Sequence, residues 1–275
     1  MFRSLPKAPR TSYLIVSLTF MSLAFASLIC FALNMSIVSR AEAQTKSQTQ
    51  PQTKPAARIQ AVQFTQASKV LGKHIITISK HYLKIENQST GLSVLLKADS
   101  GSAVFYNRKI GSFMRQEIAA FRNPYATSYT AFYVCSFADV PLHKQAPSKL
   151  FELKTQVFTE PPGFTSRQVA LFARREIPGR TVAHFEFQTT EDFKVPQRFT
   201  QFMNSFFMLP RTQGFPLQLK YRECAGSSNN FLDISRPHSV ELNETEFSLP
   251  AGLREAKRIQ DVYVDPSMDD AMKMF

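Results

Sequence analysis

The chain has 275 residues, with 33 Lys+Arg against 21 Asp+Glu, a net charge of +12 and a hydrophobic share of 44%. That apolar share excludes a disordered chain, 9 Gly and 16 Pro exclude a collagen-like one, and 3 Cys with no CxxC exclude a disulfide-dense scaffold or structural zinc. A basic globular protein remains, with an unusual aromatic usage of 25 Phe and no Trp.

Residues 1–12 carry Arg3, Lys7 and Arg10 and no acid, and residues 13–38 are uncharged and mostly apolar. Ala41-Glu42-Ala43 follows, an A-x-A pattern, so residues 1–43 read as a secretory signal peptide cleaved after Ala43. The apolar run exceeds the roughly 7–15 residues of an ordinary h-region and reaches the roughly 20 that a bilayer needs. An uncleaved signal anchor through residues 13–38 is therefore the alternative, with its basic end in the cytoplasm. Both place the rest of the chain outside the cytoplasm. Cys30 follows Ile29, a bulky residue that does not suit a lipobox cleavage site. Residues 1–43 hold four bases and one acid, so the remainder has 29 bases against 20 acids. Those charges are scattered, which favours a solvated basic face or an anionic membrane surface over nucleic acid as a partner.

Residues 44–57 (QTKSQTQPQTKPAA) are polar and low in complexity and read as a disordered linker; residues 58–275 read as one β-rich domain. His74–Ser79, Tyr82 onwards, Leu92–Lys97 and Ala103–Tyr106 predict short strands separated by polar turns at 87–91, 98–101 and up to Gly111, an antiparallel meander. Met114–Phe121 predicts a short helix, stopped by Pro124. Thr130–Phe137, Lys149–Phe158, Gln168–Arg174 and Thr181–Gln188 predict strands, the last with Val182, His184, Glu186 and Gln188 on one face and Ala183, Phe185 and Phe187 on the other.

Across residues 190–209 the period changes. Val195, Phe199, Phe202, Met203, Phe206 and Leu209 mark one face of an amphipathic helix, with Thr190 as its cap, Glu191 and Asp192 at its positive end and Pro210 as its stop. Strands resume at Phe215–Tyr221, Phe231–Ile234, Val240–Phe247 and Arg258–Val264. The fold class is mainly β (α+β): a curved antiparallel sheet or half-open barrel clasped by one long apolar helix and one short helix.

No GxSxG, HExxH, Walker loop or GxGxxG occurs, and the five histidines (His74, His81, His143, His184, His238) show no metal-ligand spacing. No cofactor or metal is expected. Cys135 and Cys224 form a candidate disulfide in an oxidising compartment, or stay as two thiols. Asn87-Gln88-Ser89 and Asn243-Glu244-Thr245 are sequons. The Phe-rich helix carries the functional lead: Phe199, Phe202, Met203 and Phe206 form an apolar lid face over a concavity that holds an acyl chain or other lipid, whereas an ordinary Phe-filled core is the bland alternative.

The strand–turn run HIITISKHYLKIENQSTGLSVLLKADSGSAVFYN, the Phe-rich helix followed by LPRTQGFPLQLKY, and the closing LPAGLREAKRIQDVYV resemble the LolA-like superfamily over roughly residues 60–265. That resemblance implies an unclosed β-barrel covered by helices, with an apolar cavity for the acyl chains of lipids or lipoproteins, in a periplasmic or secreted protein. It assigns no individual residue a role. An exported hydrolase assembled from distant carboxylates and histidines such as His184 and His238, and a membrane-tethered structural module, are the alternative functions.

Overall fold

Two asparagines, Asn87 and Asn107, show how local chemistry builds the first half of the protein. Each closes a strand and accepts hydrogen bonds on its side-chain oxygen from backbone N–H groups two and three residues on, Ser89 and Thr90 in one case and Lys109 and Ile110 in the other. Each loop then returns through a left-handed glycine, Gly91 (φ 79°) and Gly111 (φ 73°), whose N–H donates to the asparagine carbonyl at 2.8 and 2.9 Å. Asn87 is buried and its amide donates to Leu71 O, so this sequon is committed to the turn.

The computed structural model describes residues 57–123, 136–172 and 182–263, all within the compact unit Thr53–Phe275. Residues 1–56, which include the expected signal peptide or anchor and nearly all of the linker, lie outside the described residues, as do most of the predicted strand at 130–137 and residues 264–275. The first described strand begins at Arg58. Five consecutive antiparallel strands, β2 (Gly72–Ile78), β3 (Tyr82–Asn87), β4 (Leu92–Lys97), β5 (Ser102–Asn107) and β6 (Ser112–Glu117), follow β1 (Arg58–Ser68) as a regular meander. The second half adds β7 (His143–Lys144), β8 (Ser148–Leu150), β9 (Leu153–Thr159), β10 (Val182–Thr190), β11 (Phe215–Glu223), β12 (Ser228–Ile234), β13 (His238–Asn243) and β14 (Arg254–Glu255). The sheet runs β14-β6-β5-β4-β3-β2-β1-β12-β11-β10-β9-β7 and does not close. It is antiparallel throughout except for β14, which runs parallel to β6.

β1 is the hinge of the sheet. Its inner edge pairs with β2, while its other edge pairs with β13 over Arg58–Gln63 and with β12 over Gln66–Ser68. One strand that serves two different partners in succession must bend, and the sheet curves around it. Gln66, fully buried at this divergence, donates to Pro216 O of β11.

Three helices are described: α1 (Ser166–Phe172), α2 (Gln197–Phe206) and α3 (Gln260–Tyr263). The α2 positions 199, 202, 203 and 206 are the i, i+3, i+4, i+7 pattern of one helix face, and all four side chains are buried. They pack on the concave side of the sheet, with Phe202 5.0 Å from Phe121 and 6.0 Å from Phe105 between ring centroids. A second aromatic cluster joins Phe137 to Phe185, Tyr221 and Phe231, beneath β10–β12.

Several expected elements differ. Met114–Phe121 contains a strand, because β5 offers a free edge and Met114 pairs opposite Phe105. Lys149–Phe158 is a hairpin, turned by Phe151 (φ 56°) and Glu152 between β8 and β9. Gln168–Arg174 is α1 as far as Phe172, opened by a reciprocal cap in which Thr165 N–H donates to Gln168 Oε1 and Gln168 N–H to Thr165 Oγ1. In β10 the facing reverses near its start: the register slips between Val182 and His184, so Val182 is buried together with Phe185 and Phe187.

The long helix is shorter at both ends than its period suggests. Thr190 ends β10; its hydroxyl donates to Lys154 O and accepts from Asp192 N–H. Phe193 lies in the connecting turn and stacks on Phe64. At the other end Met208 takes a left-handed conformation (φ 55°) and Leu209 N–H donates to Asn204 O at 2.8 Å, a Schellman stop ahead of Pro210. The expected last strand at 258–264 is instead a turn leading into α3, just after the short β14, with the Val262 carbonyl accepting from Asn107 and Asp261 pairing with Arg258.

Truncation of Phe202 to Ala removes a ring that is 1% exposed and contacts Phe105, Phe121 and Phe206. It is expected to lower unfolding free energy by about 3–5 kcal/mol. Gln201→Ala on the exposed side of the same helix is expected to change it by less than about 0.5 kcal/mol. Chemical denaturation of both variants measures the difference.

Candidate functional site

The same amphipathic pattern that buries one face of α2 leaves Gln197, Arg198, Gln201, Asn204 and Ser205 toward a half-open cleft of about 1390 Å³. Facing them are Lys154, Thr155, Gln156 and Phe158 of β9, Lys144 of β7, and the end of β10 with Thr189 and Thr190. The turn after β6 supplies Ile118, Ala119 and Arg122, and the loop 211–214 closes one end. Gly214 is obligatory there: a Cβ would sit 2.5 Å from Thr189 Oγ1. The loop therefore lies directly on the end of β10.

Charge in the cleft is unbalanced. Arg122, Lys144, Lys154, Arg198 and Arg211 face only Glu191 and Asp192. Asp192 accepts the Lys154 backbone N–H at 2.7 Å, and Arg198 donates to Ser100 O at 2.9 Å. Arg122 donates to the carbonyls of Ala119 and Phe121. The side chains of Lys144, Lys154 and Arg211 have no protein partner among the described residues. The inner wall is apolar: Ile118, Leu142 and Phe158 line the cleft and also pack against the main core.

The four residues expected as a lid face, Phe199, Phe202, Met203 and Phe206, are brought together, but in the core. Each is at most 1% exposed, and none lines the large cleft. Phe206 alone reaches a second, small pocket of about 160 Å³, with Val70, Leu71, His74, Asn87, Thr90, Leu92 and Tyr263. His74 sits there edge-on to Phe206 and Phe207, its Nε2 3.2 Å from Asn87 Nδ2 and its Nδ1 buried without a hydrogen-bond partner. Desolvation pushes this imidazole down to about 4, and the Gly72 backbone opposes the shift only in part.

His184 is half-exposed on β10; its Nδ1 bonds Glu160 Oε1, and Glu160 Oε2 accepts the Phe185 N–H. This orients a histidine as a base would be oriented, yet no described Ser, Thr or Cys is hydrogen-bonded to it. His238 lies on β13, separated from β10 in the sheet by β1, β12 and β11. No group of three or more His, Cys, Asp or Glu that could hold a metal occurs among the described residues. Cys224 is exposed in the β11–β12 turn, and Cys135 lies outside the described residues. No described helix is long and apolar enough to cross a membrane.

Sequence reasoning passed over the cleft because its residues are ordinary polar ones. The signal that could have found it is the set of Arg198, Gln201 and Ser205 on the face of α2 opposite the phenylalanines.

No family model matches the chain, and no curated protein matches it. Solved structures with a similar arrangement include an uncharacterized conserved protein from Thermus thermophilus, 10% identical, covering 74% of this chain and 92% of that one at a TM-score of 0.35. A LolA superfamily protein from Nitrosomonas europaea is 9% identical, with 71% and 92% covered and a TM-score of 0.22. A domain described as a putative outer membrane lipoprotein-sorting protein domain from Vibrio parahaemolyticus is 10% identical, with 69% and 88% covered and a TM-score of 0.23. A ligand has to be argued from this chain's own cleft.

His74 makes stability depend on acid. Its folded value, about 4, lies below its ordinary 6.5, so the unfolded chain binds the proton first as pH falls. Above 6.5 both states are neutral and nothing is lost; between 6.5 and 4 the folded state loses about 3 kcal/mol. Urea unfolding across that window should show this slope, and His74→Gln should flatten it.

Proposed function

We propose that this protein is an exported, non-catalytic binding protein that holds the acyl chain of a lipid or lipoprotein. One observation carries the reading: a cleft of about 1390 Å³ whose apolar wall, Ile118, Leu142 and Phe158, is continuous with the Phe-rich core. A wet, mixed mouth with an apolar inner side is what an amphiphile requires. The acyl chain lies first on Ile118, Leu142 and Phe158. It reaches the Phe199, Phe202, Met203 and Phe206 face as α2 rises from the sheet. The basic n-region, the apolar run 13–38 and Ala41-Glu42-Ala43 support export, with Gln44 as the first mature residue or with the run retained as an anchor. N-terminal sequencing of the mature protein decides between these two.

The binding reading is tested by organic extraction of the purified protein with mass spectrometry, and by titration with a fluorescent palmitoyl probe. A co-purifying acyl species and saturable probe binding are expected, with binding weakened about tenfold or more by Phe158→Asp, measured at a temperature well below that variant's own melting transition. A consistently empty protein with no affinity for the probe would refute it.

A further inference from the structure

The cleft carries more cation than its structural role needs. Lys144, Lys154 and Arg211 come from β7, β9 and the loop after α2, and none of the three is neutralised by the protein among the described residues. Among the residues around the cleft, two buried polar side chains are also left over. Thr155, 2% exposed, has a hydroxyl without a hydrogen-bond partner. Asn204, 3% exposed, has an unpartnered Oδ1, and its Nδ2 makes only 3.5 Å contacts to Thr212. Buried polar groups without partners are destabilising unless something satisfies them. The N terminus of α2 adds to the field: Pro196 precedes it, no side chain caps it, and its first residues line the cleft.

The geometry points to a binding site for a phosphate ester in this cleft, with Lys144, Lys154 and Arg211 neutralising the phosphate. A phosphate suits the arrangement because it offers several acceptor oxygens to donors carried by separate elements around one cleft. The inference deepens the binding reading above, since it names the head group that would accompany the acyl chain. It also stands apart from that reading in what it requires, because a water-soluble phosphate ester would use the same donors.

Three probes separate the alternatives in titrations of the full-length protein: lysophosphatidic acid carries acyl chain and phosphate, monopalmitoylglycerol only the chain, glycerol 3-phosphate only the phosphate. Lysophosphatidic acid is expected to bind about tenfold or more tightly than monopalmitoylglycerol, with affinity falling as salt rises. Lys154→Gln with Arg211→Gln should remove that advantage while leaving monopalmitoylglycerol binding and the melting temperature unchanged. If both lipids bind equally and the double variant changes neither, the phosphate site is refuted and the acyl reading stands. Should only glycerol 3-phosphate bind, and lose about tenfold or more in the double variant, the site stands for a soluble ester and the acyl reading fails. Failure of all three probes overturns both.

Discussion

The contact of Phe202 and Phe206 with Phe105 and Phe121 is the constraint from which the rest follows. A curved sheet has a concave apolar side that water must not reach, and a ten-residue helix has one apolar face that must be covered. Each solves the problem of the other. Docking fixes the axis of α2 and its rotation at once, so the opposite face, with Arg198, Gln201 and Ser205, is turned to the cleft, where Arg198 is also held by Ser100 O. Core packing thereby decides where the cleft lies.

The elements around that contact are held by hydrogen bonds that tie distant parts of the chain together. Asn123 donates to Phe206 O at the end of α2, and Phe137 N–H donates to Met208 O, just past it. Met208 holds a left-handed conformation that a non-glycine residue adopts only when its surroundings impose it, and it is buried at 3% exposure. On the opposite wall, Asp192 and Thr190 bracket the backbone of Lys154, so β9 and the end of β10 keep one spacing. Tyr82 stacks on Phe247 and donates to Glu244, which fastens the short 3₁₀ turn Glu244–Phe247 to the meander and steadies the far end of β1.

The molecule divides its polar groups between two purposes. Asn87 and Asn107 are buried and satisfied, and they serve the turns. His74 is buried with one nitrogen left over, beside the small pocket under Phe206. Thr155 and Asn204 are buried and left over beside the large cleft, where the free cations also collect.

Much of the fold was legible locally. The meander from β2 to β5 could be read because polar turns with Gly91 and Gly111 punctuate β-branched runs. The α2 face could be read because Phe199, Phe202, Met203 and Phe206 keep a helical period. The segment Gln168–Phe172 read as a strand because its apolar run is short, and the cap from Thr165 shows only in the structure. Other elements depended on partners outside their own segment: β6 took the free edge of β5, Thr190 stayed in a strand flanked by β9 and β11, and the 260–263 turn was fastened by Asn107. The sequence by itself determined the class of fold and the residues that must be buried, because turn chemistry and periodicity act over a few residues. Only the tertiary structure decided that those phenylalanines fill the core and that Lys144, Lys154, Arg198 and Arg211 share one cleft. Positions on β7, β9, α2 and a loop meet there only when the sheet bends, and no short-range pattern encodes that bend.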